Sequence, residues 1–461
     1  MSFPRYREYK ESGVEWLAEV PAHWDVRRAR TLGTFSASGI DKKWDDNELP
    51  VKMLNYVDVY KSIDKILRYS TELMDTTASP EKIAEHSVRK GDILLTPSSE
   101  TSDDIGHAAR VAEMPAGVVY SYHVLRFRPS PLISTEYLTY AFNSIGTRAY
   151  FASACTGTTR MVLVRDDFKN TFLAVPSLEE QSQIAAFLDR ETAKIDALVA
   201  EQEKLIALLK EKRRAVISHA VTKGLDPHVP MKDSGIEWLG EVPAHWRVGK
   251  SGFHLSILSG FAFPSSGFTD DQNATKLLRG INVGVSRLKW DETVYWRRSE
   301  GDGLDVYEMR DGDLVIGLDR PLIAEGIRVA KVKESDLPCL LLQRVASLKT
   351  HSTLHADYLL YLLSSEMFVA HFSPETTGVS VPHISPEQIS TFVIPVPPLE
   401  EQHAIVAYVE DEVSKLDILT TEAEQAIELL KERRSALISA AVTGKIDVRG
   451  AGGAATLEAA A

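Results

Sequence analysis

Three adjacent acid pairs, Asp103-Asp104, Asp166-Asp167 and Asp270-Asp271, are the first places in this 461-residue chain where side chains could hold a metal or move protons. Paired carboxylates need a matching base, nucleophile or third ligand for either task. None stands at a recurrent spacing from these pairs, which read as solvated loop residues. His23 and His245 are further acid–base candidates, but each precedes a Trp in the sequence Pro-Ala-His-Trp. A turn that buries large aromatic area accounts for them better than catalysis does. Cys155 and Cys339 are the only cysteines, and no Cys or His lies at zinc spacing. Both are expected as isolated buried thiols, with no metal site. A Gly-rich phosphate loop ending in Lys-Ser/Thr, a Gly-x-Gly-x-x-Gly turn and an Asn/Asp-Pro-Pro-aromatic tetrad are all missing from the sequence. Pro397-Pro398 is followed by Leu399 and is expected to stop a strand and fix the start of a helix. No catalytic residue is assigned, and no cofactor is expected in this chain.

What must position the remaining polar side chains is a frame written twice. Lys10-Glu-Ser-Gly-Val-Glu-Trp16-Leu-Ala-Glu-Val-Pro21-Ala-His23-Trp24 returns as Lys232-Asp-Ser-Gly-Ile-Glu-Trp238-Leu-Gly-Glu-Val-Pro243-Ala-His245-Trp246, a displacement of 246 − 24 = 222. Leu178-Glu-Glu-Gln181 returns as Leu399-Glu-Glu-Gln402, and Leu208-Leu-Lys-Glu-Lys-Arg213 as Leu429-Leu-Lys-Glu-Arg-Arg434, both displaced by 221. Inside the bodies, Lys90-Gly91-Asp92 matches Asp311-Gly312-Asp313, Glu136-Tyr137-Leu138 matches Asp357-Tyr358-Leu359, and Thr156-Gly157 matches Thr377-Gly378. Between these anchors the copies diverge, as in Ser98 to Asp104 against Asp319 to Glu325. Two copies imply pseudo-two-fold symmetry and not a solenoid, which needs three or more repeats.

Each copy reads as an opening motif, a mixed α/β body and a long terminal helix. The first helix carries Leu188, Ile195, Gln202, Leu209 and Val216 seven apart, with Glu191, Leu198, Leu205, Lys212 and His219 three residues later. The second carries Val409, Leu416, Ala423, Leu430 and Leu437, with Glu412, Leu419, Ala426, Arg433 and Ala440. Such a pattern is a coiled-coil seam. Acids near each start and bases near each end favour antiparallel pairing, with Glu191 beside Arg433 and Lys212 beside Glu412. The fold class expected is α+β: two pseudo-symmetric α/β domains separated by two long helices in an antiparallel coiled coil. Their expected extents are 1–176 and 224–397 for the bodies, 177–223 and 398–445 for the helices, and 446–461 for a flexible tail. A chain of this length exceeds one core. Its 44% hydrophobic and 25% charged content is that of a globular protein. No apolar run approaches the ~18 residues of a membrane span, so a cytoplasmic protein is expected.

Across residues 10 to 445 these motifs resemble the specificity subunit of type I restriction-modification systems. The resemblance implies two target-recognition domains, each gripping half of a bipartite site in double-stranded DNA, with the helices as spacer. It implies two methyltransferase subunits as partners, supplying S-adenosylmethionine and methylating adenine, and restriction subunits that translocate and cut DNA. The chain itself would be non-catalytic. The alternative is a coiled-coil adaptor whose duplicated modules bind proteins; an unrecognised nucleic-acid-modifying enzyme is a third reading. A net charge of −13 runs against DNA binding by the chain as a whole, but −7 of it lies in residues 178–222 and 399–443, leaving room for a local basic face.

Direct readout needs Arg or Lys for guanine and Asn or Gln for adenine. The candidates unmatched between copies are Lys42, Lys43, Arg110, Arg160 and Arg165 in the first body, and Arg279, Arg297, Arg298, Arg320, Arg328 and Arg344 in the second. Half or more of the hydrogen bonds at such interfaces go to phosphate and sugar, so a given member is more often a phosphate contact than a base reader. If the helices act as a ruler, each inserted residue shifts a module by about 1.5 Å and 100°. Four residues added after Ala207 are therefore expected to lengthen the recognised spacer with both half-sites intact, as read by sequencing methylated sites.

Overall fold

The computed structural model describes residues 3–323, 326–376 and 382–450. The diverging residues Ala324 and Glu325, the Thr377-Gly378 loop and the tail beyond Gly450 lie outside the described residues. The chain divides into two units, Met1–Gln202 with Gln425–Ala461, and Glu203–Glu424. Each unit thus takes part of both long helices, Leu178–Lys223 and Leu399–Val442, together with one body.

In the first unit a five-stranded sheet runs Gly33–Ala37, Leu125–Pro129, Ile93–Leu95, Ala108–Val111, Ile66–Leu67. The first four are antiparallel neighbours, and Phe127 stands opposite both Phe35 and Ile93. A second sheet, Val119–Tyr120, Leu49–Leu54, Met74–Ala78, carries a parallel pair. In the second unit Leu255–Ser259, Val345–Thr350, Leu314–Gly317 and Val329–Lys331 repeat the antiparallel sheet. Tyr295–Trp296, Thr275–Leu278 and Cys339–Leu341 form its companion, again with a parallel pair. The short apolar runs after Gly91-Asp92 and Gly312-Asp313 are central strands covered on both faces, which is why they are continuously hydrophobic.

The sequence motifs that repeat are those that bond to one another. The opening motif is a hairpin in both units, Tyr9–Glu11 with Glu19–Pro21 and Met231–Asp233 with Glu241–Pro243. It ends on the buried Trp24 or Trp246. Glu180, at the start of the first long helix, accepts from His23 at 3.0 Å and from the Tyr6 hydroxyl at 2.7 Å. Glu401 accepts from His245 at 2.8 Å and from the Trp246 indole at 3.0 Å. His228 stands 222 positions after Tyr6. With Tyr6 on Glu180 Oε1, the Trp24 indole N–H is left buried without a partner. Buried Gln181 donates to Pro176 O and accepts from Ser134 N, both at 2.8 Å, while Gln402 does the same with Pro397 O and His355 N.

Within the first unit the Glu180 end of one helix lies by the Gly444 end of the other, and Asp196 pairs with Arg434 at 2.9 Å, so the helices run antiparallel. In the second unit Glu401 approaches Gly224 and Arg213 pairs with Asp417 at 3.3 Å, again antiparallel. Both helices stop at a glycine in the left-handed region, Gly224 at φ 80° and Gly444 at φ 74°. A Cβ on Gly444 would stand 2.3 Å from Pro21 Cδ, so only glycine lets the helix end close on the opening motif.

One expected line of the seam is displaced by a residue. Leu188, Ile195, Leu209, Val409 and Leu416 are buried, with Leu430 and Leu437 half-buried. The line three residues on is not, since Leu198, Leu205 and Leu419 are exposed. The inward positions come four residues on: Thr192, Val413, Ile427 and Ala441 are buried, and Val199, Ile206 and Thr420 are half-buried. A heptad satisfies either order of steps, and leucines at the +3 positions disguised the true one. The expected cross-pairs fail for the same reason. Glu191 pairs instead with Arg190 and Lys194, and Glu412 with Lys415, while Arg213 and Arg434, one residue beyond the predicted bases, cross to the partner helix.

The fully buried Tyr137 hydroxyl reaches Ala174 O at 2.8 Å and Val442 O at 3.0 Å, and Tyr358 reaches Val221 O at 3.0 Å and Pro395 O at 3.1 Å. Burial pushes both phenols well upward, so each keeps the single proton that it shares between a strand carbonyl and a helix carbonyl. Tyr358→Phe is expected to cost about 1–3 kcal/mol by stranding these acceptors, read as a lower urea midpoint for the second unit, with Tyr137→Phe doing the same to the first.

Candidate nucleic-acid interface

In the second unit the parallel strands Thr275–Leu278 and Cys339–Leu341 end at the same edge, where Leu342 N donates to Leu278 O at 3.1 Å. Leu314–Gly317 is tied to that edge through Leu318 N on Arg344 O at 2.9 Å. The residues that follow these three strands line a cleft of about 680 Å³. Arg279, Arg320, Arg328 and Arg344 converge there with Lys289, Gln343 and, among the described residues, a single carboxylate, Asp319. Four of the six cations singled out in this body are thereby brought together from segments up to 65 residues apart, 344 − 279.

Their freedom differs. Arg328 is half-buried and donates to Val283 O at 2.8 Å and Asp319 O at 3.2 Å; burial lowers its pKa, with the Asp319 carboxylate opposing. Arg279 donates to Glu292 O at 2.6 Å. Arg344 pairs with Asp319 at 3.0 Å. Arg320 and Lys289 have no side-chain partner among the described residues. Arg320 and Arg344 both hold left-handed backbones, at φ 45° and 69°. Non-glycine residues rarely do so, and such strain clusters at functional sites. Arg297 and Arg298 lie outside the cleft: Arg297 pairs with Asp271 at 3.1 Å, and Arg298 is enclosed by Asp302, Asp305 and Glu308.

The first unit builds the same edge with different side chains. Leu49–Leu54 and Val119–Tyr120 end side by side, with Ser121 N on Leu54 O at 2.9 Å. Beyond them stand Tyr56 and Tyr60, stacked at 5.7 Å, and Tyr122 against His123 at 3.8 Å. Arg160 donates to Ser98 Oγ at 3.1 Å and lies 6.0 Å from the Tyr56 ring centre. Tyr122 N donates to Ile40 O at 3.1 Å, which brings the segment of Lys42 to this edge, and the His123 pKa is lowered first by burial, then by Lys42 and Arg160. Lys43 and Arg165 are exposed, Arg165 opening the helix Arg165–Asn170. Arg110 is elsewhere, paired with Glu136 at 2.9 Å at a 370 Å³ pocket beside the long helices. That pocket also holds His107, pushed down to about 4 by burial and then Arg148, and Lys65, pushed down to about 8 mainly by burial.

Sequence reading missed Lys289, Asp319 and Gln343 in the second unit, and the aromatics Tyr56, Tyr60, Tyr122 and His123 in the first. All follow a strand of the smaller sheet or the central strand of the larger one, but no residue type marks that place. Four of the six acids in these pairs are spent locally: Asp104 on Tyr60 and His107, Asp166 on Lys169, Asp167 on the Val164 N–H and Asp271 on Arg297. Among the described residues no group of three or more His, Cys, Asp or Glu could hold a metal. None of their helices is long and apolar enough to cross a membrane.

Two repeats of one body, each ending its strands in a different polar set, define a two-module recognition protein. The family model for the type I restriction modification DNA specificity domain matches residues 61–207 and 294–429, and the chain belongs to that family. It is similar to the type I restriction enzyme MjaVIII specificity subunit of Methanocaldococcus jannaschii, at 28% identity over 449 residues covering 96% of this chain and 97% of the other. It is also similar to the EcoAI specificity subunit of Escherichia coli, at 30% over 226 residues, 48% of this chain and 38% of the other. The fold matches that of the HsdS subunit from Thermoanaerobacter tengcongensis, with a TM-score of 0.51 at 18% identity, covering 93% of this chain and 98% of that one. It also matches a chain from a structure on assembly and conformational transition of the type I R-M system, with a TM-score of 0.65 at 19% identity, covering 92% and 98%.

The differing freedom of the cations predicts separable phenotypes. Arg320→Ala is expected to weaken DNA binding without changing thermal stability. Arg328→Ala is expected to cost about 1.5–3 kcal/mol of stability, because its guanidinium satisfies backbone carbonyls. Arg298→Ala should leave DNA binding unchanged. Parallel melting and fluorescence-anisotropy titrations distinguish the three.

Proposed function

We propose that the chain is the DNA sequence-recognition subunit of a type I restriction-modification complex, with each body reading one half of a bipartite site in double-stranded DNA. The observation that carries this is the convergence of Arg279, Arg320, Arg328, Arg344 and Lys289 at a strand-end cleft. Guanidinium groups suit both guanine edges and phosphates, and Gln343 beside them suits adenine. In the first body Tyr56, Tyr60 and Tyr122 offer ring faces, with Arg160 and Lys42 as the cations. The two half-sites therefore differ in the chemistry that reads them. Two methyltransferase subunits bind this chain, supply S-adenosylmethionine and methylate adenine, and restriction subunits join them to cut unmodified DNA. The chain contributes recognition and no bond-making step, and it works in the cytoplasm.

The test is the methylated-adenine map of cells carrying the methyltransferase with and without this chain. A bipartite motif that appears only with the chain is the expected result. Replacing residues 25–176 with the body of a relative should then change one half of the motif and leave the other. A map unaltered by the chain would favour the protein-binding adaptor instead.

A further inference from the structure

One arginine of the second-body cleft, Arg344, already has a carboxylate partner. Asp319, the one carboxylate of the cleft among the described residues, holds Arg344 Nη1 at 3.0 Å on Oδ2 and His383 Nδ1 at 2.7 Å on Oδ1. The side chain of Arg344 remains 70% exposed, so this contact is a tether on an exposed cation and not a buried structural pair. Asp319 itself is only 22% exposed and is fixed from both sides. Its backbone carbonyl accepts from Arg328 at 3.2 Å, and an isolated antiparallel bridge joins its backbone to that of His383. Next to it, Arg320 holds its strained backbone by donating its N–H to Pro382 O at 2.7 Å.

The first body shows what this position looks like without the charge. Ser98 stands at the place of Asp319, 319 − 98 = 221, and pairs with Val162 where Asp319 pairs with His383. Its hydroxyl accepts from Arg160 at 3.1 Å, a neutral contact that a phosphate can outcompete with little loss. A carboxylate at the same place is a different device. It presents Arg344 with a negatively charged oxygen, as a phosphate would.

Resting on the reading of the cleft as the DNA face, we infer that Asp319 is a specificity-determining positioning residue: an internal substitute for phosphate that occupies Arg344 until a correct half-site displaces it. A DNA phosphate or guanine edge must then replace an existing ion pair. Random sequence offers only the phosphate exchange, which is nearly even. A matching site adds base contacts that tip the balance, so the tether subtracts from non-specific binding more than from specific binding.

The experiment titrates the full chain, assembled with its methyltransferase, against a random-sequence duplex and a duplex carrying its mapped site, from 50 to 200 mM salt. For Asp319→Asn the expected result is several-fold tighter binding to random sequence, with a log–log salt slope steeper by about 0.9, the mark of one added phosphate contact. The ratio of site to random affinity should fall. Asp319→Asn combined with Arg344→Ala should lose the gain, which guards against a merely loosened fold. Unchanged or weaker random-sequence binding by Asp319→Asn, while Arg320→Ala still weakens binding to the site, would overturn the inference and leave the cleft reading standing. Were both Arg320→Ala and Arg344→Ala to leave site binding unaltered, the cleft reading itself would fall.

Discussion

The structure depends on a shared proton. In each unit one buried tyrosine, Tyr137 or Tyr358, bridges the strand that leads into a long helix and the last turn of the other long helix. No water can replace it at a fully buried position, and a buried carbonyl without a donor costs about 1–3 kcal/mol. The same logic governs Gln181 and Gln402, which tie the helix start to the body helix beside it. It governs Glu180 and Glu401, which tie that start to the opening hairpin. These are the residues that recur at 221 or 222 positions. They recur because each motif is the hydrogen-bonding complement of another motif in its own unit, so a change in one strands a partner in the other.

This also explains why the body loops are free to diverge. The frame contacts made by Tyr137, Gln181 and Glu180, and by Tyr358, Gln402 and Glu401, gather at the ends of the long helices, whereas the cleft residues follow the ends of other strands. Sheet register is set by apolar pairs such as Phe127 with Phe35 and Ile93, and none of these contributes to the strand-end edge. Loops can therefore exchange aromatic for cationic side chains without disturbing the core. The acidic net charge belongs to the same division, since the two long helices carry −6 of the −13. Among the described residues the cleft sets five cations against one carboxylate. Charge over the whole chain speaks to solubility and steering, and charge in the cleft speaks to binding.

Much of this was legible in the sequence because repetition marks the frame. The doubled motifs located both bodies and both helices, and the acids near each helix start with bases near each end pointed to antiparallel pairing, although through other residues than the ones that pair. The seam was misread by one residue, since leucines at 198, 205 and 419 imitate a buried line while Thr192, Thr420, Arg213 and Arg434 occupy the true one. Hydrophobicity ranks residues, and here a threonine or an ion-paired arginine fills a place that a leucine would be expected to take. The cleft was half legible. Lacking a counterpart in the other copy pointed to Arg279, Arg320, Arg328 and Arg344, but it pointed equally to Arg298, whose three acids lie within ten positions along the chain. Whether an arginine is free or already engaged depends on what folding brings beside it, and that is decided by strand register.

Asp319 shows the limit most clearly. In the sequence it is one of many acids in a diverging loop, and composition would count it against DNA binding. Placed between Arg344 and His383 it becomes the reason that a cation cluster can discriminate. An unopposed patch binds any duplex through its phosphates, whereas a patch that must give up an ion pair binds well only where base contacts repay the exchange. Selectivity in the second body then comes from the difference between two ion pairs, and the acid is as much a part of the recognition surface as the arginines.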